Sequence, residues 1–429
     1  MPRCGNDKDD GSRPGGSILL KIPPADGRSE RPLLCTIYFI YFFCGLTQCF
    51  EGVFLPEFKE YFHLNYQQQM YTMLAKNVPF ILAGGIGYLI RFLGYKNCIT
   101  AATMLFSSGT LLLVPGLRSG RYAELLLGFF LIGLGFNFEI VAGNPMLSAL
   151  GPPRSASSRL NLGNALGAVA QIISPATVSA IIPVTVVAVG AKLPYMERLF
   201  ITLGVVLAFV SVVTFLVGDV NVSSTFRHPA VPHGAAWSHK RVRLGFISIF
   251  LILGAEAALF AFYRNFLEDP AIAGLSAHES QRLFTVFFAV FAVGRLVASW
   301  VQARILPSTH LIFSLAGAFV CLAVAIFAKG VVAVGAITCV GFFASVLFPT
   351  LYSLSIENMG ELTGQASGLL TMGFLGCAVI PVFQGKLADS LGLHRSYVLS
   401  LVVYLITIFC VIKMRLDTVR QRCGGEIET

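Results

Sequence analysis

Twelve apolar runs, each near the roughly 20 residues that carry an α-helix across a bilayer, fill most of this chain. They lie at 33–55, 70–92, 97–116, 122–148, 159–183, 196–217, 242–266, 281–302, 309–328, 330–352, 363–388 and 394–413. The pattern predicts an all-α membrane protein with twelve transmembrane helices. Composition agrees: 12% of residues are charged and the mean hydropathy is +0.74, where a soluble domain carries roughly 25% charged residues.

The longest polar connection, 218–241, divides the spans into an N-terminal half (33–217) and a C-terminal half (242–413). Residues 1–32 are polar and mixed in charge and are expected to be a disordered cytoplasmic tail; 414–429 are expected to be a second tail. No signal peptide is visible, because the first apolar run is too long for one. The formal charge of +9 does not imply nucleic acid. Most Lys and Arg fall between apolar runs, where they set topology, and their excess on one side places both termini and the central linker in the cytoplasm. The expected location is the plasma (inner) membrane, with the protein a monomer in the lipid bilayer. The ten cysteines are scattered without metal-ligand spacing or a disulfide framework. No metal, cofactor or enzymatic nucleophile–base arrangement is expected.

The stretch from Gly135 to Gly167 carries the most chemistry. It reads Gly-Phe-Asn-Phe-Glu-Ile-Val-Ala-Gly-Asn-Pro, a polar turn, then Arg-Leu-Asn-Leu-Gly-Asn-Ala-Leu-Gly. Glu139 lies inside span four, and an ionisable group at membrane depth is a functional-site hypothesis by default. Gly135 and Gly143 stand four residues to either side, on the same helix face to within about 40° per step. They leave room for a ligand, water or a neighbouring backbone. Glu51, Glu256 and Glu357 fall on spans one, seven and ten, so each helix expected to line a central cavity carries an acid. Glu51 is near the outer end of its span. Glu357, beside Asn358 and Glu361, reads as a solvated loop residue.

A carboxylate in an apolar cavity can hold a proton near neutral pH, because desolvation disfavours its charged form. It can also accept two hydrogen bonds from vicinal hydroxyls. Phe136, Phe138, Phe260, Phe262, Tyr263, Phe342 and Phe343 are candidates to pack on a sugar ring. Arg295 lies inside span eight and needs a carboxylate or carbonyl partner; it has a structural or a coupling role.

Pro145-Met-Leu-Ser-Ala-Leu150 is echoed by Pro349-Thr-Leu-Tyr-Ser-Leu354 at the end of span four of each half. Two six-span halves in parallel repeat build major facilitator transporters. The segment from Gly87 to Lys96 resembles their loop signature, with Arg91 in place of the usual acid.

Several motifs together resemble the fucose–proton symporter family of the major facilitator superfamily, which also holds glucose/galactose permeases. They are Gly135 to Pro145 with Arg159-Leu-Asn-Leu162, Gly254-Ala-Glu-Ala, Val293-Gly-Arg295, Phe348-Pro-Thr with Tyr352 to Gly360, and Gly385-Lys-Leu-Ala-Asp389. The resemblance implies that Glu139 is central to substrate recognition and proton coupling. Fucose-carrier-like members have an Asn-Asp pair before the Leu-Pro of span one. Here Glu51 and Gly52 stand there, so the acid has moved one residue, about 100° around the helix. Either Glu51 replaces that acid, or it faces outer water or a neighbour while coupling runs through Glu139 and Glu256. The family's span-five Asn falls on Gly167, with Asn164 the nearest amide. The candidate proton-coupling and substrate-binding set is therefore Glu139, Glu256, Glu51, Asn144, Asn164 and Asn161.

The expected function is secondary active, proton-coupled import of a monosaccharide (fucose, glucose or galactose-like) by alternating access. The alternative is a major facilitator exporter of drugs or other small amphiphiles. A transport-dead sensor or scaffold would need a signalling domain that these tails do not supply.

Overall fold

The computed structural model describes residues 27–150, 156–183, 186, 188–216, 234–302, 304–357, 359 and 362–425. Among them the secondary structure is helical, with no strand. Eleven helices among the described residues are long and apolar enough to cross a membrane. The twelfth crossing, span two, is a broken path over 66–93. It consists of Tyr66–Gln69, Tyr71–Asn77, a 3₁₀ turn over Val78–Leu82 and the start of Ala83–Ser119. Pro79 accounts for the break, because it has no N–H to continue the ladder. The chain then turns into span three at Gly94, whose φ of 77° is a conformation glycine adopts without steric cost.

The remaining crossings follow the apolar runs. Span one is Gly27–Tyr61, span three 95–119, span four Tyr122–Ala149, span five Ala156–Ile181 and span six Val189–Leu216. Spans seven, eight and nine are Lys240–Glu268, Ala277–Gln302 and Pro307–Phe327. Span ten is Gly330–Ile356, interrupted after Ala344; span eleven is Gln365–Leu391, with a 3₁₀ turn at Met372–Leu375; span twelve is Leu393–Leu416. Two expected boundaries move. Residues 27–32 are the first turns of span one rather than tail, and the last helix continues to Gly425. Most of the 218–241 linker lies outside the described residues; Ala235–Ser238 within it forms a short helix.

Lipid is as apolar as the helices, so association in a bilayer depends on close packing and polar contacts rather than on hydrophobic burial. Small residues supply the packing. Spans one and five cross at Gly45 and Gly167, where a Cβ on Gly45 would collide with the backbone of Gly167. A Cβ on Gly133 of span four would likewise land on the carbonyl of Lys76 in span two. The halves meet through spans one and seven, two and eleven, and five and eight. Phe80 of span two stacks on Phe374 of span eleven at 5.0 Å between ring centroids.

Polar contacts between the halves gather at the end of the bundle opposite the termini. Asp389 accepts from the Tyr66 and Gln67 amides at 2.7 and 2.9 Å, satisfying the exposed donors at the start of span two. Gln69 donates to Asn265 at 3.1 Å, and Gln281 to the Pro175 carbonyl at 3.0 Å. These contacts draw the two halves together at that end.

Candidate functional site

Glu139 is buried (3% exposed), and Oε2 of its carboxylate has no hydrogen-bond partner among the described residues. The Cys44 thiol of span one is within hydrogen-bonding reach of the carboxylate. One turn earlier on span one, the Tyr41 hydroxyl donates to Asn144 Oδ1 at 2.6 Å. Spans one and four thus bring Glu139, Cys44, Tyr41 and Asn144 into one cluster. The flanking glycines admit neighbours rather than a ligand. A Cβ on Gly135 would come to 2.8 Å of the Ala102 carbonyl, and one on Gly143 to 3.1 Å of the Tyr41 hydroxyl. Asn137, two residues before Glu139, donates to the Pro79 carbonyl at 2.6 Å and anchors the broken part of span two. Asn164 is on an exposed part of span five, one turn before the Gly45–Gly167 crossing. The side chain of Asn161 lies outside the described residues.

In the second half, Glu256 is partly buried and feels the charge of Arg295. The two form no ion pair at contact distance, although the sequence leaves a carboxylate open as the partner of Arg295. Its Nε donates instead to the Ser345 carbonyl at 3.3 Å, and the guanidinium lies over the Phe291 ring at 4.8 Å. The reason is local. In a continuous helix the Ser345 carbonyl would accept from the residue four later, but that residue is Pro349, which has no N–H. Arg295 supplies the missing donor.

Glu51 is buried, and its carboxylate pairs with the ammonium of Lys76 on span two. It does not stand at the outer end of span one, because that helix continues for ten more residues, to Tyr61. Glu357 is an exposed turn residue just past the end of span ten, as expected, and Arg241, at the start of span seven, binds its carboxylate at 2.7 Å.

A larger charged cluster ties the halves together. Arg264 of span seven, 2% exposed, donates to both oxygens of Glu57 on span one at 2.8 and 3.1 Å and to Glu268 at 2.8 Å. It also reaches the Val53 carbonyl. Lys192, at the start of span six, donates to Glu57 at 3.1 Å. Two carboxylates and two cations therefore balance in a buried site.

Lys76, Glu57, Arg264 and Cys44 are not among the site residues expected from the sequence. The signal for two of them was present, since Lys76 and Arg264 fall inside the apolar runs 70–92 and 242–266, where a cation needs a partner. Several aromatic candidates are core residues. Phe262 is fully buried against Tyr66, and Tyr263 stacks on Phe284 while its hydroxyl meets Thr338 at 2.7 Å. Phe343 packs over Gly317, and Phe260 joins a cluster with Phe287, Phe288 and Phe291. Phe136 remains at the meeting of the halves, edge-on to Phe80 and Phe374.

Known proteins are similar to this chain along most of its length. A glucose/galactose transporter of Brucella abortus is 28% identical over 377 residues, 86% of this chain and 91% of the relative. The L-fucose-proton symporter of Escherichia coli is 26% identical over 392 residues, 84% of this chain and 87% of the relative. Among solved structures, the E. coli fucose:proton symporter in its outward conformation superposes with a TM-score of 0.65 at 22% identity, covering 89% of this chain and 97% of that one. An inward-facing bacterial homologue of the human lysosomal transporter Spinster gives 0.70 at 15% identity, covering 90% and 97%. The resemblance drawn from the motifs is thus matched by relatives along most of the chain. With residues 37–381 matching the family directly on a fold of two six-span halves, the chain belongs to the Major Facilitator Superfamily.

Proposed function

We propose that this protein is a secondary active transporter that imports a monosaccharide together with a proton, by alternating access between its halves. The observation that carries the reading is Glu139: a buried carboxylate with one oxygen unpartnered among the described residues and a thiol beside it. A carboxyl group so placed can take a proton or a sugar hydroxyl without first breaking an ion pair. Glu256, half-buried on span seven with Arg295 nearby, is the facing acid from the second half. Asn144 and Asn164 supply amide hydrogen bonds for hydroxyl groups. Acids from both halves favour a hydroxyl-rich substrate over an amphiphile. The relatives named for glucose/galactose and for L-fucose with a proton support the same substrate class.

The protein works as a monomer in the inner membrane with both termini in the cytoplasm, the sidedness that the Lys and Arg distribution favours. In that orientation the cross-half contacts at Asp389, Asn265 and Arg264 close the side facing away from the cytoplasm. The test is uptake of labelled D-glucose, D-galactose and L-fucose into vesicles containing the reconstituted protein, with and without an inward proton gradient. Accumulation of one of them only under the gradient is expected. Equal uptake in both conditions removes the coupling, and failure with all three sugars removes the substrate class.

A further inference from the structure

The carboxylates of spans one and four are compensated in different ways. Glu51 has its cation built in. The Lys76 ammonium pairs with it, the two side chains are 0% and 10% exposed, and neither Glu51 oxygen takes a hydrogen bond from any other group among the described residues. Among the described residues Glu139 has no such cation: the groups that face it there are the Cys44 thiol and, farther off, the Tyr41 hydroxyl, both from span one. The groups around the Glu51–Lys76 pair are Cys49 of span one, Tyr122 of span four and Cys377 of span eleven. None of them is a second cation.

Lys76 is not held there by chance of rotamer alone. Gly133 lets the Lys76 backbone lie directly against span four, and Asn137 on the same helix ties down the Pro79 carbonyl three residues on. Span four, which carries Glu139, therefore also sets where the ammonium can reach. Across the boundary, the Phe80–Phe374 stack fixes the same stretch of span two against span eleven.

A buried carboxylate needs a positive charge or a proton. We propose that Lys76 is a tethered counter-cation that takes the place of a transported proton at Glu51, so that the span-one acid stands outside the coupling cycle and Glu139 carries the proton. This inference rests on the proposed proton-coupled sugar import. It resolves the displaced acid of span one: Glu51 is a structural anion, and Lys76 is its positioning partner.

The experiment uses the full chain reconstituted in vesicles, labelled D-galactose, D-glucose and L-fucose, an internal pH dye to count protons per sugar, and sugar counterflow, which needs no net proton movement. The variants are Lys76→Gln, Glu51→Gln and the double Glu51→Gln/Lys76→Gln. The double variant leaves no uncompensated charge in the bundle, so it keeps proton-driven uptake within about two-fold of wild type and the same proton count. Lys76→Gln leaves a bare carboxylate, and its uptake at neutral pH falls about tenfold. That loss reverses as the pH is lowered, because a proton now fills the place of the ammonium, and the proton count per sugar rises. Thermal unfolding in detergent at the same pH values reports the pair without transport: Lys76→Gln unfolds earlier at neutral pH and regains stability in acid, while the double variant does neither. A double variant that keeps counterflow but loses proton-driven uptake overturns the proposal, as does a Lys76→Gln protein that matches wild type at every pH. A wild-type protein that moves sugar without protons overturns the import reading instead, and the unfolding series then decides the state of the pair.

Discussion

Both carboxylate oxygens of Glu57 on span one accept a hydrogen bond from one guanidinium, that of Arg264 on span seven, at 2.8 and 3.1 Å. The two residues belong to different halves. Bidentate guanidinium–carboxylate pairs are geometrically demanding, so this contact holds only while spans one and seven are together at the end opposite the termini.

Arg264→Met is expected to loosen that end. Breaking a buried pair by removing one partner costs about 3–5 kcal/mol, less whatever Lys192 still supplies to Glu57. The check is a lower unfolding temperature in detergent together with faster alkylation of a cysteine introduced at Val53. An unchanged alkylation rate would show that the clamp does not hold the end shut.

Glu139→Gln keeps the shape of the side chain and removes its titration. Sugar counterflow should persist, while the rise in uptake as the outer pH falls should disappear. Initial rates across an outer pH series test this at equal protein per vesicle. If the variant's pH-driven uptake matched wild type, the proton would have to travel elsewhere.

Glu256→Ala should weaken sugar affinity. Losing a hydrogen bond to a charged acceptor costs roughly 1.5–3 kcal/mol, an increase in KM of about tenfold or more. Unchanged KM and maximal rate would return Glu256 to a structural role beside Arg295.

Arg295 and Pro349 should be coupled. In the wild type, Arg295→Met removes the donor that serves the Ser345 carbonyl, at a cost of about 1–3 kcal/mol for an unsatisfied buried acceptor. Pro349→Ala restores an amide N–H to that carbonyl. In the Pro349→Ala background the cost of Arg295→Met should therefore shrink, which a double-mutant cycle on thermal unfolding measures. Equal costs in both backgrounds would place the role of Arg295 in the cavity instead.

Gly45→Val should prevent assembly of the N-terminal half, because its side chain would occupy the backbone of Gly167. The expected readout is loss of the monodisperse peak on size-exclusion chromatography. Gly85, where an added Cβ meets nothing within 4 Å, should accept alanine with its profile intact.

Much of the architecture was legible without coordinates. Apolar runs of bilayer length, the polar break after span six and the echo of Pro145 in Pro349 depend only on local composition and spacing, which is why twelve crossings and two halves follow from them. Span two was legible as an apolar run even though Pro79 breaks its helix, because crossing a bilayer depends on the run rather than on one unbroken ladder. The acids at 51, 139 and 256 stood out for the same reason: a charge inside an apolar run is visible in one dimension.

Their partners were not. Whether Glu51 is free or neutralised depends on Lys76, which reaches it only because Gly133 admits span two against span four. Whether Arg295 takes a carboxylate or a carbonyl depends on a vacancy that Pro349 creates on another helix. Arg264 meets Glu57 only where two halves distant in sequence close on each other. The sequence by itself determined which groups lie in the membrane. The tertiary structure alone decided which of them are already satisfied and which, like Glu139, are left with a carboxylate oxygen to offer, because compensation of a buried charge is set by distances between helices that no spacing along one helix records.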